Sequence, residues 1–320
     1  MKRILFMAVL IMAMSACGED IIPPVDNQDP PTHEVPETPE KPVDPEEPAG
    51  PDEPEKPEEP EKPEGPEKPE GPENPEEGKD PQIGDYLYDD GTWSTSKVDG
   101  KKIIGIIYWL GDPTSFDAGM KADHPECTNG LALSLNQKST PWQSGFETFG
   151  TTVSDWLSAA DPTQHTPYTS TQTKSLGARC GYSNTKAIEL FNQAEENAMW
   201  KVEAIEKVLD YRLKVPAPES TSGWYLPSAK ELSLMCSGEF DGNLLDLVKP
   251  AIDMRTRLNE RLTELPDAYW LSSGVYWSSS EYDDGGTGWM GAWNVFFEDG
   301  DVNLSFKDFG SGICRFILAF

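Results

Sequence analysis

A proline- and acid-rich segment over residues 18–83 constrains this 320-residue chain more than any other feature. It holds 23 acidic residues against five lysines, 19 of the chain's 29 prolines and no aromatic residue. Proline removes backbone hydrogen-bond donors and favours polyproline II, and the like charges repel and extend the chain. The segment cannot bury a core, so we expect a disordered stalk that reaches at most about 200 Å. A ligand for proline-binding domains is the alternative.

The first residues have the pattern of an export signal. Lys2 and Arg3 precede an apolar run over residues 4–14 that is too short to cross a membrane as a mature helix. This pattern predicts a signal peptide over residues 1–16. Met14-Ser15-Ala16-Cys17 resembles a lipobox, in which the cysteine is lipidated and becomes the new N-terminus. We therefore expect Cys17 to anchor the stalk over residues 17–83; a cleaved secretory peptide with an incidental cysteine is the alternative.

The acidic residues directly after the lipobox bear on location. Gly18-Glu19-Asp20 resembles the signal that sends some bacterial lipoproteins to the outer face of the outer membrane. On this resemblance the protein is lipid-anchored in the outer membrane and faces the cell exterior. It would contact the membrane only through its N-terminal lipid.

Composition places the folded part of the chain in residues 84–320. All ten tryptophans follow residue 90, and this length can bury one large core or two small ones. The same residues hold 19 basic against 33 acidic side chains. Binding to nucleic acid needs a basic face that releases counterions from phosphates, so nucleic acid is excluded as an expected partner.

Hydrophobic periodicity predicts strands at both ends of this part and helices between them. The predicted strands are residues 84–88, 103–109, 130–135, 293–297 and 302–306, the last two joined by a turn over residues 298–301. The predicted helices are residues 184–213, capped by Asn184, one that starts after Pro227, and residues 243–262. Ser228 and Glu231 have capping-box spacing. Packed irregular structure is expected over residues 136–181. One α+β domain over residues 84–320 is the preferred interpretation, and a split near residue 215 is the alternative.

Several aromatic segments in the C-terminal third carry a family resemblance. They are Trp224-Tyr225-Leu226-Pro227-Ser228, Glu231-Leu232, Tyr276-Trp277-Ser278-Ser279-Ser280-Glu281, Ala292-Trp293-Asn294-Val295-Phe296-Phe297 and Arg315-Phe316-Ile317-Leu318-Ala319-Phe320. Together they resemble the secreted bacterial family DUF1566, or Fibrobacter succinogenes major paralogous domain. The resemblance implies a C-type-lectin-like fold in which the two chain ends pair in one sheet. It also makes Trp224, Trp277 and Trp293 part of the core.

Signals for enzymatic chemistry are weak, and we expect no enzyme. The folded part has no Gly-x-Ser-x-Gly elbow and no phosphate-binding loop. We interpret its two histidines, His124 and His165, as having no metal-ligand spacing to another histidine or cysteine, so zinc chemistry has little support. Val295 follows Trp293-Asn294 where calcium-dependent lectins have an aspartate, so sugar binding through calcium is not carried over. A structural calcium bound by Asp283, Asp284 and Asp299 is an alternative to a solvated acidic turn.

Four cysteines remain in the folded part once Cys17 is assigned to the anchor. They are Cys127, Cys180, Cys236 and Cys314, and an oxidising compartment allows three pairings among them. We favour Cys127 with Cys180, because both lie in the region expected to be irregular. Small buried thiols are the alternative.

A recognition face is predicted near the C-terminus. Its residues are Tyr282, Asp283, Asp284, Leu304, Phe306, Asp308, Phe309 and Ile313, where exposed aromatic side chains offer large contact area. Apart from Lys307, residues 304–314 are compatible with adenine-directed diversification of their codons. Together with the resemblance, this raises the hypothesis that the chain is a variable protein diversified by a retroelement. The alternative is that these residues form an ordinary edge strand and loop.

Three functions follow from these patterns. The leading hypothesis is a surface lipoprotein that displays a lectin-like domain and binds an unknown protein or glycan through its C-terminal loops. A structural adhesin or fimbrial accessory subunit is the second. A surface hydrolase with a carboxylate pair from Asp283, Asp284 or Glu298 is the third.

Overall fold

The computed structural model describes residues 80–160, 174–239, 244–245, 253–283, 290–310 and 312–320. The predicted signal peptide, Cys17, the predicted stalk up to residue 79, His165 and Asp284 lie outside these residues. The strands are β1 (Tyr86–Tyr88), β2 (Trp93–Ser94), β3 (Ile103–Leu110), β4 (Gly130–Ser139), β5 (Val275–Asp283), β6 (Met290–Phe296), β7 (Asp301–Phe306) and β8 (Ile313–Ala319). The helices are α1 (Ala118–Asp123), α2 (Phe146–Phe149), α3 (Val153–Ala160), α4 (Lys174–Gly177), α5 (Gly181–Gln193), α6 (Glu203–Lys214), α7 (Ala229–Ser237) and α8 (Asp253–Thr263).

These eight strands form one mixed sheet in the order β2-β1-β3-β4-β8-β5-β6-β7. Neighbouring strands are antiparallel except β5 and β8, which meet in parallel at Tyr276 and Ile313. The expected pairing of the two chain ends is wrong. Both end strands belong to the sheet, but β3 and β4 lie between β1 and β8, because β4 already occupies the edge of β8.

Helices cover both faces of the sheet. Side chains alternate across a strand, so Ile106 and Tyr108 of β3 pack on one face while Ile107 packs on the other. Helices α7 and α8 cover the first face with the side chains Leu232, Met235, Leu258 and Leu262. Helices α5 and α6 cover the second face with the side chains Ile188, Phe191, Ile205 and Val208. Burial on both faces explains why β3 is an uninterrupted apolar run.

The predicted helix over residues 184–213 is two helices, α5 and α6. Asn192 ends the first one, because its side chain donates to the Val202 carbonyl at 3.0 Å and accepts from the Val202 amide at 2.8 Å. Asn197 in turn donates to the Phe191 carbonyl at 3.0 Å. Two buried asparagines therefore take up backbone groups that a continuous helix would pair. Asn184, the predicted cap, lies inside α5, which begins at Gly181.

The predictions for the later elements hold better. The capping box that begins α7 is confirmed, since the Ser228 hydroxyl accepts from the Glu231 amide and the Glu231 carboxylate accepts from the Ser228 amide. The hairpin of β6 and β7 is confirmed. Helix α8 matches only the second half of the predicted helix over residues 243–262; residues 246–252 lie outside the described residues. The region expected to be irregular contains the end of β4 and three short helices, α2, α3 and α4.

The expected disulfide between Cys127 and Cys180 is wrong in this structure. All four cysteines of the folded part are free and buried: Cys127, Cys180, Cys236 and Cys314. This agrees with the alternative prediction of small buried thiols. Burial raises the pKa of the Cys127 and Cys314 thiols to about 12 and that of Cys236 to about 11. Without a bound metal ion these thiols stay protonated and are poor nucleophiles. Cys236 and Cys314 therefore act as small apolar groups.

Among the described residues, no helix has both the length and the apolar character needed to cross a membrane.

Candidate functional site

The residues predicted to form a recognition face lie on two strands and the turn between β7 and β8. Tyr282 and Asp283 are on β5, Leu304 and Phe306 on β7, and Ile313 begins β8. Asp308 and Phe309 lie in the turn directly after β7. The side chain of Asp283 and the whole of Asp284 lie outside the described part of the chain.

Exposure separates these residues into two groups. Phe306 and Phe309 keep 58% and 40% of their surface exposed, and Asp308 is exposed between them. Tyr282, Leu304 and Ile313 are partly buried and pack against the core; the Tyr282 ring meets the Trp293 ring edge-on at 5.6 Å. The exposed part of the predicted face is therefore Phe306, Asp308 and Phe309. We name the stretch that carries them the 306–309 turn.

The buried side chain of Lys307 holds the 306–309 turn against the core. It lies between two exposed phenylalanines in sequence, yet its side chain is completely buried and forms an ion pair with the equally buried Glu281 of β5. The ammonium also lies 3.4 Å from the Gln143 side-chain oxygen and 4.9 Å from the centre of the Trp142 ring. A buried cation needs such partners, because leaving it unpaired costs several kcal/mol.

Glu281 is held by a helix as well as by the lysine. Its two carboxylate oxygens accept hydrogen bonds from the backbone amides of Val153 at 2.9 Å and Ser154 at 3.1 Å. These amides begin α3, where free donors and the helix dipole favour a negative charge. The ion pair therefore ties the turn after β7 to the start of α3 through Glu281 of β5.

Two tryptophans complete the base of the turn. The Trp277 indole donates to the Thr140 carbonyl at 3.0 Å and packs edge-on against Phe309 at 6.2 Å. The Trp142 indole donates to the Ser278 carbonyl at 2.9 Å. A side chain at Gly312 would overlap the Trp277 ring, so this position requires glycine. Trp224, Trp277 and Trp293 are all buried, which confirms their predicted place in the core.

This arrangement can make contacts and offers little for catalysis. Phe306, Asp308 and Phe309 are exposed in a stretch of chain that is held in place by the buried Lys307. Aromatic side chains with few rotatable bonds give contact area at small entropic cost. The 306–309 turn therefore has the chemistry of a contact surface.

The suggested calcium site and carboxylate pair lie only partly within the described structure. Glu298 and Asp299 are exposed in the turn between β6 and β7, and Asp299 accepts from the Asp301 amide at 2.9 Å. Their proposed partners Asp283 and Asp284 fall on undescribed side chains. Asp299 has the local hydrogen bond of an ordinary turn residue.

A second buried carboxylate lies at the start of α7. Burial raises the pKa of Glu231 from 4.5 to about 7, although the hydrogen bonds from Ser228 oppose the shift. Asp117 adds a further upward contribution, and the Gly181 amide donates to the same carboxylate. Glu231 thus joins the starts of α5 and α7, and its protonation changes near neutral pH.

The sequence signals for Lys307 and Glu281 were faint. Lys307 interrupts a mixture of apolar and small residues, and Glu281 ends a serine run, but neither pattern predicts a fully buried charge. Pairing them requires the sheet order, because 26 residues separate them in the chain.

The expectation that His124 stands at no metal-ligand spacing from a cysteine is wrong. Ligand atoms of His124, Glu126 and Cys127 all lie within 4.8 Å of one another. The signal in the sequence was the spacing of three residues between His124 and Cys127, which is short enough for one turn of chain to hold both side chains around one ion.

No family model matches this sequence. Among curated proteins the chain is similar to the putative fimbrium tip subunit Fim1C of Bacteroides ovatus, with 25% identity over 228 residues, which cover 62% of this chain and 39% of that protein. Among solved structures it is similar to a fimbrial protein from Bacteroides ovatus, with a TM-score of 0.55 and 21% identity; the match covers 75% of this chain and 49% of that one. The chain thus spans less than half the length of each of these two proteins, and the structural likeness concerns the fold.

These comparisons correct the family resemblance inferred from the C-terminal aromatic segments. Both similar proteins are fimbrial, and neither comparison supports DUF1566 or a C-type-lectin-like family. The α+β expectation holds at the level of a mixed sheet of eight strands with helices. The hypotheses of a lectin-like fold and of a diversified C-terminal segment both depended on this resemblance. Without it, neither hypothesis is supported.

Proposed function

We propose that this chain is a non-catalytic subunit of a surface fimbrium, either a structural adhesin or an accessory subunit. The observation that carries the proposal is its 25% identity over 228 residues to a putative fimbrium tip subunit. The similar fold of a fimbrial protein supports it. Of the functions considered from the sequence, the comparisons favour this one over display of a lectin-like domain.

The contact surface in this proposal is the 306–309 turn. Phe306 and Phe309 supply exposed aromatic area, Asp308 supplies a carboxylate, and the Lys307–Glu281 pair keeps the backbone in place. The partner is a protein, either another subunit or a host protein, or a glycan. Tyr282, Leu304 and Ile313 pack against the core and are not part of this exposed surface; Asp284 and the Asp283 side chain lie outside the described part of the chain.

The proposed location is the cell surface. Cys17 would carry the lipid in the outer membrane, and the acidic stalk would hold residues 84–320 away from the bilayer. Nucleic acid is not a proposed partner, because the folded part is acidic.

Electron microscopy of sheared fimbriae tests this function. Antibodies raised against residues 84–320 should label fimbriae from the strain that encodes the protein, and deletion of the gene should remove the label. A matched deletion of an unrelated surface lipoprotein controls for general loss of the envelope. Label that stays with the cell bodies after shearing, and never appears on fimbriae, would overturn the assignment.

A further inference from the structure

Three residues with different ligand atoms lie close together at the end of α1 and in the loop before β4. The ligand atoms of His124, Glu126 and Cys127 lie within 4.8 Å of one another, and the His124 Nδ1 atom is 3.7 Å from the Glu126 carboxylate. The cluster combines an imidazole, a carboxylate and a thiol, so it differs from the exposed acidic clusters that occur on many surfaces.

The backbone holds the two stronger ligands in a tight turn. His124 caps the end of α1, where its amide donates to the Met120 carbonyl at 2.7 Å. The Cys127 amide then donates to the His124 carbonyl at 3.1 Å, and the Thr128 amide to the Glu126 carbonyl at 2.9 Å. These bonds bring the ligand-bearing residues onto one side of a short loop before β4 begins at Gly130.

Packing orients the histidine ring. His124 meets the Tyr182 ring edge-on at 5.4 Å, and the Tyr182 hydroxyl donates to Asp123 at 2.8 Å. The Cys127 sulfur is fully buried and lies 3.8 Å from the Ser220 carbonyl. The Glu126 side chain is 54% exposed, so it is free to move towards an ion, and the His124 side chain is 25% exposed.

The ligand types select the ion. Calcium and magnesium prefer oxygen ligands, whereas a nitrogen and a sulfur ligand together suit zinc. Zinc binds at about 2.3 Å from sulfur and about 2.0–2.1 Å from nitrogen, which places ligand atoms around one ion about 3.3–3.6 Å apart. Spacings of up to 4.8 Å therefore need only a small closing movement, for which the exposed glutamate is suited.

We propose that His124, Glu126 and Cys127 bind one zinc ion, with water in the remaining position. On binding, the Cys127 thiol releases its proton to water and the thiolate sulfur bonds to the ion. The ion fixes the loop between the end of α1 and β4, a strand that pairs with both β3 and β8.

Cobalt(II) reports on such a site, because it gives a charge-transfer band only when a thiolate binds it. The untagged full chain carrying Cys17→Ala removes the anchoring thiol and serves as the parent. We expect one cobalt ion per chain, a thiolate band that zinc abolishes, and a melting temperature that rises with zinc and falls with a chelator.

Variants identify the ligands. Cys127→Ser should remove the thiolate band, and His124→Gln should weaken zinc binding by about tenfold or more. Cys236→Ser, another buried free cysteine, is the matched control and should keep the band. His124→Gln changes a partly exposed side chain and keeps the proposal testable if Cys127→Ser fails to fold. No band in the parent, or zinc affinity unchanged in His124→Gln, would contradict the site.

Discussion

Lys307 and Glu281 show how one residue pair can organise a surface without being part of it. Both side chains are fully buried, and each has a second partner, the Gln143 oxygen for the lysine and the α3 amides for the glutamate. Removing one member would leave the other charge buried and unpaired. The pair's main role is therefore to fix where the chain leaves β7.

Lys307→Met should destabilise the folded domain by about 3–5 kcal/mol, because Glu281 would lose its counter-charge inside the protein. Equilibrium unfolding in urea measures this change. Lys186→Met is the matched control, since Lys186 pairs with Asp123 at an exposed site and should cost at most about 1 kcal/mol. Equal effects of the two substitutions would show that the buried pair has no special role.

Sequence reasoning at this scale succeeded for exposed and buried aromatics and failed for charges. Phe306 and Phe309 are exposed and Trp277 and Trp293 are buried, as their sequence contexts indicated. Lys307 could not be placed, because a charged residue is assigned to solvent unless its partner is known. That partner is fixed by sheet order, which a single sequence does not display.

At the scale of elements, the Glu231 carboxylate accepts hydrogen bonds at the starts of two helices, α7 and α5. Glu231 closes the capping box and also accepts from Gly181 at the start of α5. Its burial favours the protonated form, whereas these hydrogen bonds favour the ionised form, and the balance puts its pKa near 7.

The stability of the wild-type domain should fall between about pH 4.5 and 7 through this group. Over that range the folded protein keeps a proton that the unfolded chain has already lost, so rising pH favours unfolding, by about 3 kcal/mol in full. Glu231→Gln can still cap α7 and has no proton to lose. The difference in unfolding free energy between variant and wild type should therefore shift in the variant's favour from about pH 5 to about pH 8. Parallel urea titrations check this, and a difference independent of pH would contradict it.

The turn after β7 and the strand β6 should respond oppositely to substitution. Phe306→Ala combined with Phe309→Ala should leave the melting temperature nearly unchanged, because both rings are exposed, and should abolish contact with fimbrial partners. Trp293→Ala should cost about 3–5 kcal/mol, because that ring is buried. Thermal unfolding measures the stability of each variant, and a pull-down with purified fimbriae measures the loss of contact with fimbrial partners. A double variant that unfolds would place the turn in the core.

The elements that could be predicted were those specified by local rules. The Ser228–Glu231 cap, the turn before β7 and the apolar run of β3 each depend on neighbouring residues, and each was found. The break between α5 and α6 was missed, because Asn192 bonds to Val202, ten residues further along. The sheet order was missed for the same reason on a larger scale.

At the scale of the whole molecule, the chain combines an acidic proline-rich segment with a folded part that begins near residue 84. Our sequence-based proposal is that the first segment is a stalk and that Cys17 anchors it. The folded part does not depend on this proposal, since its core is formed by residues after Tyr86.

Cys17→Ala should release the protein from the membrane fraction while the domain stays folded, because lipid on Cys17 would be its only membrane contact. Fractionation followed by immunoblotting measures the release, and circular dichroism of the recovered protein measures folding. Cys236→Ser should stay with the membrane. Unlipidated Cys17→Ala protein found in the outer membrane would count against the anchor.

The central place of β8 has a consequence for how the protein matures. This strand connects the group β2-β1-β3-β4 to the group β5-β6-β7, and Arg315 reaches Gln137 across 178 residues of sequence. Neither group can close onto the other until β8 has been synthesised, so the sheet cannot assemble step by step as the chain emerges. Contacts this distant in sequence slow folding. The sheet therefore stays incomplete, with the facing edges of β4 and β5 unpaired, until β8 has been synthesised.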